Sequence, residues 1–149
     1  MLITGRIRRD GSVWLAESPI ADVMTQGKSR TEAAMMLGDA IESLVNRADF
    51  KVTVRDAGPA GAVTIEANEP ALLAALVLKR QRVAHGLSLS EAAHKIGQAS
   101  KTTYARYETG QVVPALDKFI ALLAVIAPEF GMTLGSRAAR PARRRARRA

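Results

Sequence analysis

Cysteine is absent from the 149 residues, which excludes disulfides and thiolate metal sites, and two histidines, His85 and His94, leave little for an imidazole-based metal centre. No window approaches the roughly 18 uninterrupted apolar residues of a membrane-spanning helix. The N-terminus, with Arg6, Arg8, Arg9 and Asp10, has no apolar run suited to secretion. A cytoplasmic protein without membrane contact or cofactor is the expectation. What is present is 48% hydrophobic sequence, enough to bury one core or two small ones.

Acid is missing from the C-terminal end as well. The formal charge of +8 resembles a nucleic-acid signature until it is divided along the chain. Residues 1–67 hold eight Lys/Arg against nine Asp/Glu, residues 68–136 hold seven against five, and residues 137–149 hold seven Arg and no acid. The body is close to neutral. A case for DNA binding therefore has to rest on motif and surface placement.

From Leu2 to Glu17 apolar and polar residues alternate loosely around Asp10-Gly11, a dipeptide that supplies the positive φ of a tight β-hairpin. Ser18-Pro19 ends the second strand, and a short third strand is predicted around Val23-Met24-Thr25 before Gly27. Ser29 with Glu32 forms a capping-box pattern, and Ala33, Met36, Leu37, Ala40, Ile41, Leu44 and Val45 fall at helical spacing over about 18 residues. Lys51–Arg55 and Ala62–Glu66 read as two more strands joined by Ala57-Gly58-Pro59-Ala60-Gly61.

After Ala67 the pattern is helical only. Asn68 is a candidate cap for a helix with Pro70 in its first turn, running through Leu72, Leu73, Leu76 and Val77 to Gly86. A short helix is predicted from Ser88 to Ile96, a third capped by Ser100 and ending near Gly110, and a fourth opened by Pro114 and running through Leu116, Phe119, Ile120, Leu123 and Ile126. The Arg-rich residues 137–149 offer no apolar face and are expected to be disordered on their own.

The stretch Leu87–Gly110 is the informative one. Two short helices crossing steeply need a small residue where they meet, which Ala93 supplies, and a turn residue free to adopt positive φ, which Gly97 supplies. Tyr104 and Tyr107 share the inner side of the second helix, whereas Lys101, Thr102, Ala105 and Arg106 lie on the other. Small, hydrogen-bonding and cationic residues suit the major groove, where Arg and Lys read guanine and Ala permits close approach. Ser88, Ser100, Lys101, Thr102, Thr103, Ala105 and Arg106 are the DNA-contact candidates.

Leu87-Ser88, Ala93, Ile96-Gly97, Tyr107-Glu108-Thr109-Gly110 and Pro114 resemble the Cro/cI-type, or XRE-like, helix-turn-helix family over about residues 72–127. The resemblance implies an internal salt bridge between Arg82 and Glu108, a fold role. Gln98-Ala99 makes the turn one residue longer than usual, which leaves the register of Lys101 and Thr102 open. His94 reads as solvated, and His85 beside Gly86 as a helix C-terminal residue.

Gly11, Trp14, Pro19 and the run Thr25-Gln26-Gly27 leading into Glu32-Ala33 resemble the HicB antitoxin family. That resemblance implies an α+β chain: a small partial ribonuclease-H-like domain of antiparallel strands and one helix in residues 1–67, then an all-α helix-turn-helix domain in residues 68–136 and the 137–149 tail. It also implies an N-terminal domain that covers a small HicA-type ribonuclease toxin and a dimerised C-terminal domain, homodimeric or higher, that represses the operon at operator DNA. Trp14 and Met24 are candidates for the toxin-facing surface, with a core role as the alternative for Trp14.

Catalysis of the ribonuclease-H kind needs carboxylates gathered around Mg²⁺. Asp10, Asp22, Asp39, Glu42 and Asp49 are instead scattered over turn, loop and helix, so no catalytic residue and no enzyme is expected. The tail arginines suit counterion-releasing phosphate contacts, RNA carriage or solubilisation. A stand-alone regulator with a ligand-sensing N-terminal domain and an RNA-binding or residual nuclease module are the alternative functions. A short basic toxin encoded beside the gene would separate the antitoxin from the regulator.

Overall fold

The computed structural model describes residues 1–97 and 100–133, so the predicted disorder of residues 137–149 and the Gln98-Ala99 turn lie outside the described residues. Its α+β architecture is an N-terminal antiparallel sheet with one helix, followed by helices alone.

Strands β1 (Leu2–Asp10) and β2 (Val13–Ser18) form the hairpin, turned by Gly11 at φ +58°. β3 (Val23–Gly27) runs two residues beyond Thr25 and includes Gly27. After helix α1 (Arg30–Val45) come β4 (Val52–Asp56) and β5 (Ala62–Ala67), giving the strand order β3-β2-β1-β5-β4 with every neighbouring pair antiparallel. Because side chains alternate across a strand, Ile3 and Ile7 share one face with their cross-strand partners Ile65 and Ala16, and this face is buried. Ala33, Leu37, Gly38 and Ile41 of α1 are buried with it.

Helix α1 has 16 residues, slightly fewer than the spacing suggested, and Met36 and Leu44 stay substantially exposed. Its first turn modifies the capping-box expectation. The Glu32 N–H donates to Ser29 Oγ (3.1 Å), but Glu32 Oε2 accepts from the Lys28 N–H (2.6 Å), one residue earlier than a box requires. The cause is Gly27: a Cβ there would lie 2.5 Å from Ala33 N and 2.9 Å from Glu32 C, so strand end and helix start touch backbone to backbone.

Asn68 does not cap α2 (Pro70–Ala84), whose N-cap is Glu69. The Asn68 side chain is spent on a clasp: Nδ2 donates to Asp49 O (2.7 Å) and Oδ1 accepts from Lys51 N–H (2.8 Å), joining the segment before β4 to the end of β5. A parallel tie comes from Glu42, whose carboxylate accepts from Val52 N–H (2.8 Å) and Lys51 Nζ (3.0 Å); these bonds hold its pKa below the usual carboxylate value.

Leu72, Leu73, Ala75, Leu76, Val77, Leu78 and Gln81 of α2 are all buried. A helix apolar nearly all round is buried on more than one side. Accordingly α2 contacts β5, α1 and the 3₁₀ turn Pro19–Ala21 as well as α4 (Lys101–Glu108) and α5 (Leu116–Ile126). One continuous buried cluster therefore runs from Ile3 to Ala127 through both halves of the chain. Helix α5 begins later than expected: Pro114 precedes it and Ala115 is the N-cap.

Gly27→Ala is expected to lower stability by about 1–3 kcal/mol, the usual cost of forcing extra volume into a packed site. Gly11→Asn, at a position with nothing within 4 Å of a Cβ and a φ that Asn tolerates, should cost less than about 1 kcal/mol. Urea unfolding of the two variants against the parent measures both; equal losses would contradict the backbone-contact explanation.

Candidate nucleic-acid interface

The C-terminal half places one short helix on a rigid base. Helix α3 (Leu89–Lys95) starts with a complete capping box, Glu91 N–H to Ser88 Oγ at 3.1 Å and Ser88 N–H to Glu91 Oε2 at 2.8 Å. These bonds also hold the exposed Glu91 carboxyl below its ordinary pKa. Ala92 and Ala93 are buried where α3 packs on α4, and Gly97 takes φ +68° at the end of α3. The turn chemistry is thus the one a helix-turn-helix needs.

Helix α4 is capped by Ser100, whose Oγ accepts from Thr102 N–H at 3.2 Å. Its inner side carries Tyr104, fully buried, and Glu108, 8% exposed, with Tyr107 half-buried. Burial pushes the Tyr104 phenol well above its ordinary pKa, reinforced by the neighbouring Glu108 carboxylate, so the ring stays neutral.

Arg82 closes the module. Its Nε and Nη2 donate to the two Glu108 carboxylate oxygens at 2.7 and 3.0 Å, and its Nη1 donates to Leu87 O at 2.6 Å. The bonds to Glu108 raise the Arg82 pKa further. Glu108 therefore points inward, away from any phosphate. A paired, planar fork of this kind fixes orientation as well as charge, and removing one partner of such a buried pair costs about 3–5 kcal/mol.

Lys101, Thr102, Thr103 and Arg106 are exposed on α4, and Ser88 and Ser100 are exposed at the two N-caps. Both serines already accept a backbone N–H, which leaves each hydroxyl proton available as a donor. Ala105 is half-buried and sits toward the flank of the packed side, while Thr103 stands with the outward group. His94 is exposed on α3; His85 caps α2, with Nδ1 2.8 Å from Gln81 O and Nε2 3.0 Å from a Glu129 carboxylate oxygen.

The two candidates for a protein-facing surface are not brought together. In the register of β2 and β3, Trp14 opposes Gly27 and Met24 opposes Glu17, so Trp14 and Met24 lie on opposite faces of the sheet. Trp14 is half-buried against the core; Met24 is 63% exposed.

The N-terminal acids are dispersed. Asp22 pairs with Arg80, Glu42 with Lys51, Asp49 with Arg47 and Asp56 with Arg30. Among the described residues no three His, Cys, Asp or Glu stand close enough to share a metal ion, and no described helix is long and apolar enough to cross a membrane.

Sequence reasoning passed over Arg80 and Gln81. The Gln81 Nε2 donates to Pro19 O and Ile20 O, both at 2.9 Å, and Arg80 Nη2 donates to Asp22 O and Oδ2, both at 2.7 Å. One signal was available: Leu73, Val77 and Gln81 form an i, i+4, i+8 stripe, so a polar side chain continues an apolar seam.

No curated protein matches the chain. Residues 78–127 match the helix-turn-helix family model, a stretch that opens inside α2 and closes one residue past α5, and this match supports the Cro/cI-type reading of α3 and α4 as a DNA-binding, regulatory module.

Proposed function

We propose that the chain is a sequence-specific repressor and the antitoxin of a type II toxin–antitoxin pair, and that it is not an enzyme. The carrying observation is α4: Lys101, Thr102, Thr103 and Arg106 stand exposed on a helix whose other side is locked by Tyr104 and the Arg82–Glu108 pair. A short rigid helix with cationic and hydroxyl side chains outward fits the major groove, where Arg pairs with guanine and Thr with either partner.

In this reading residues 68–136 bind operator DNA and the arginines of residues 137–149 add phosphate contacts that carry affinity without sequence information. Residues 1–67 cover a small HicA-type mRNA-cleaving toxin in the cytoplasm. The support is the HicB-like series of Gly11, Trp14, Pro19 and Thr25-Gln26-Gly27, and the exposure of Met24 on the open face of the sheet. Two half-sites about 34 Å apart call for a dimer. Val113, Leu116 and Ile120, exposed to 62%, 61% and 43%, supply an apolar patch at the start of α5 for pairing with a second copy.

Three outcomes follow. Arg106→Ala should weaken binding to the preferred duplex by about 1–3 kcal/mol with an unchanged unfolding curve, measured by gel-shift titration; unaltered binding would mean that α4 is not the reading helix. Deleting residues 137–149 should flatten the slope of log K against log[salt] while leaving sequence preference intact, and an identical slope would remove the tail from the interface. Co-expressed with the product of an adjacent short basic reading frame, the full chain should co-purify with it and restore growth. If it does neither, the reading retreats to a stand-alone regulator with an N-terminal ligand-sensing unit.

A further inference from the structure

Three consecutive residues of α2 tie it to two distant parts of the chain. Arg80 and Gln81 hold the turn Pro19–Asp22, and Arg82 holds Glu108 of α4 and the Leu87 carbonyl. Successive residues of a helix are about 100° apart, so this run sweeps from the Pro19–Asp22 turn, reached by Arg80 and Gln81, round to α4, reached by Arg82. All three lie in the last five residues of α2, which ends at Ala84. The backbone of this last turn is closed, with Gln81 O, Val83 O and Arg82 O accepting from the N–H groups of His85, Gly86 and Leu87 and Gly86 at φ +66°. The guanidinium that holds α4 is therefore mounted on the same capped turn that carries Arg80 and Gln81, one residue beyond them.

The N-terminal unit grips the same turn through its side chains. Gln81 is 2% exposed, and its amide joins two carbonyls of a turn that is distant in sequence. Asp22 is held at φ +49°, a left-handed conformation that few residues other than glycine adopt readily, and both its carbonyl and its carboxylate accept from Arg80. The turn leads directly into β3.

We propose that Asp22, Arg80 and Gln81 are positioning residues for DNA recognition: the Pro19–Asp22 turn clamps the end of α2, keeps Arg82 set, and so keeps α4 docked for reading. The proposal rests on the DNA-binding reading of α4. It makes the turn a port between the two halves, since displacing it loosens the recognition helix, and binding at the operator in turn stabilises the clamped turn by the same factor.

Asp22→Ala in the full chain is the decisive variant, because the clamp and plain electrostatics predict opposite signs. Removing an acid raises the net charge, and by charge alone DNA binding should tighten. By the clamp it should weaken, about fivefold or more, the lower end of ordinary coupling between sites. The probe is the duplex that the parent protein enriches from a random pool, titrated at several salt concentrations. The expected result is weaker binding for Asp22→Ala and for Arg80→Ala, an Asp22→Ala/Arg80→Ala double variant no weaker than the worse single one, and an unchanged salt slope for Asp22→Ala. Amide hydrogen exchange at Tyr104–Glu108 should speed up in Asp22→Ala, a change that a role confined to the turn would not produce. Asp22→Ala binding as tightly as the parent or tighter, with exchange in α4 unchanged, would overturn the proposal. Should the parent enrich no duplex, the DNA reading fails by itself, and the exchange rates of α4 alone decide the clamp.

Discussion

The constraint on which the rest of the structure depends is the two-sided burial of α2. Its apolar residues serve the sheet and α1 on one side and the helix-turn-helix on the other. Fully burying a Leu or Val side chain is favourable by about 1.5–3 kcal/mol, so Leu72, Leu73, Leu76, Val77 and Leu78 are a principal source of stability for both halves. Neither half has an α2 of its own. A change that shifts this helix is felt at once in the pairing of β5 and in the seating of α4.

Polar ties determine how α2 is oriented once it is buried. Hydrophobic burial is non-directional and would tolerate rotation or sliding. The amide of Gln81 and the guanidinium groups of Arg80 and Arg82 are directional, and each finds acceptors fixed by backbone or by another packed side chain. Arg82 makes the more enclosed of the two ion pairs, with its partner carboxylate 4% exposed. Asp10, Asp49 and Asp56 belong to more exposed pairs, which solvent screens and which orient little.

Several elements were legible because a single local rule settles them. Asp10-Gly11 specified the hairpin; Ser88 with Glu91 specified the start of α3; Gly97 specified its end. The Asn68 cap failed because its amide had a competing use across the sheet, which no local pattern discloses. The Ser29 box was half right for a similar reason: the close approach of Gly27 to Ala33 shifts the Glu32 carboxylate to the Lys28 N–H. Trp14 and Met24 could be grouped in sequence because strand parity was known only approximately, and a register of one residue decides the face.

The sequence by itself determined the order of elements, the α+β class, the near-neutral body with its basic C-terminal stretch, and the outward placement of Lys101, Thr102 and Arg106 on α4, whereas Ala105, expected beside them, is half-buried. These follow from periodicity, turn chemistry and charge counting, all of which are local. Only the tertiary structure decided that α2 belongs to both halves, that Gln81 and Arg80 grip Pro19–Asp22, and that Trp14 and Met24 face opposite ways. The hydrogen bonds of Gln81 join residues about sixty positions apart. Helical spacing gives the side of a helix on which a residue sits, but the partner on that side exists only once the sheet has folded against it.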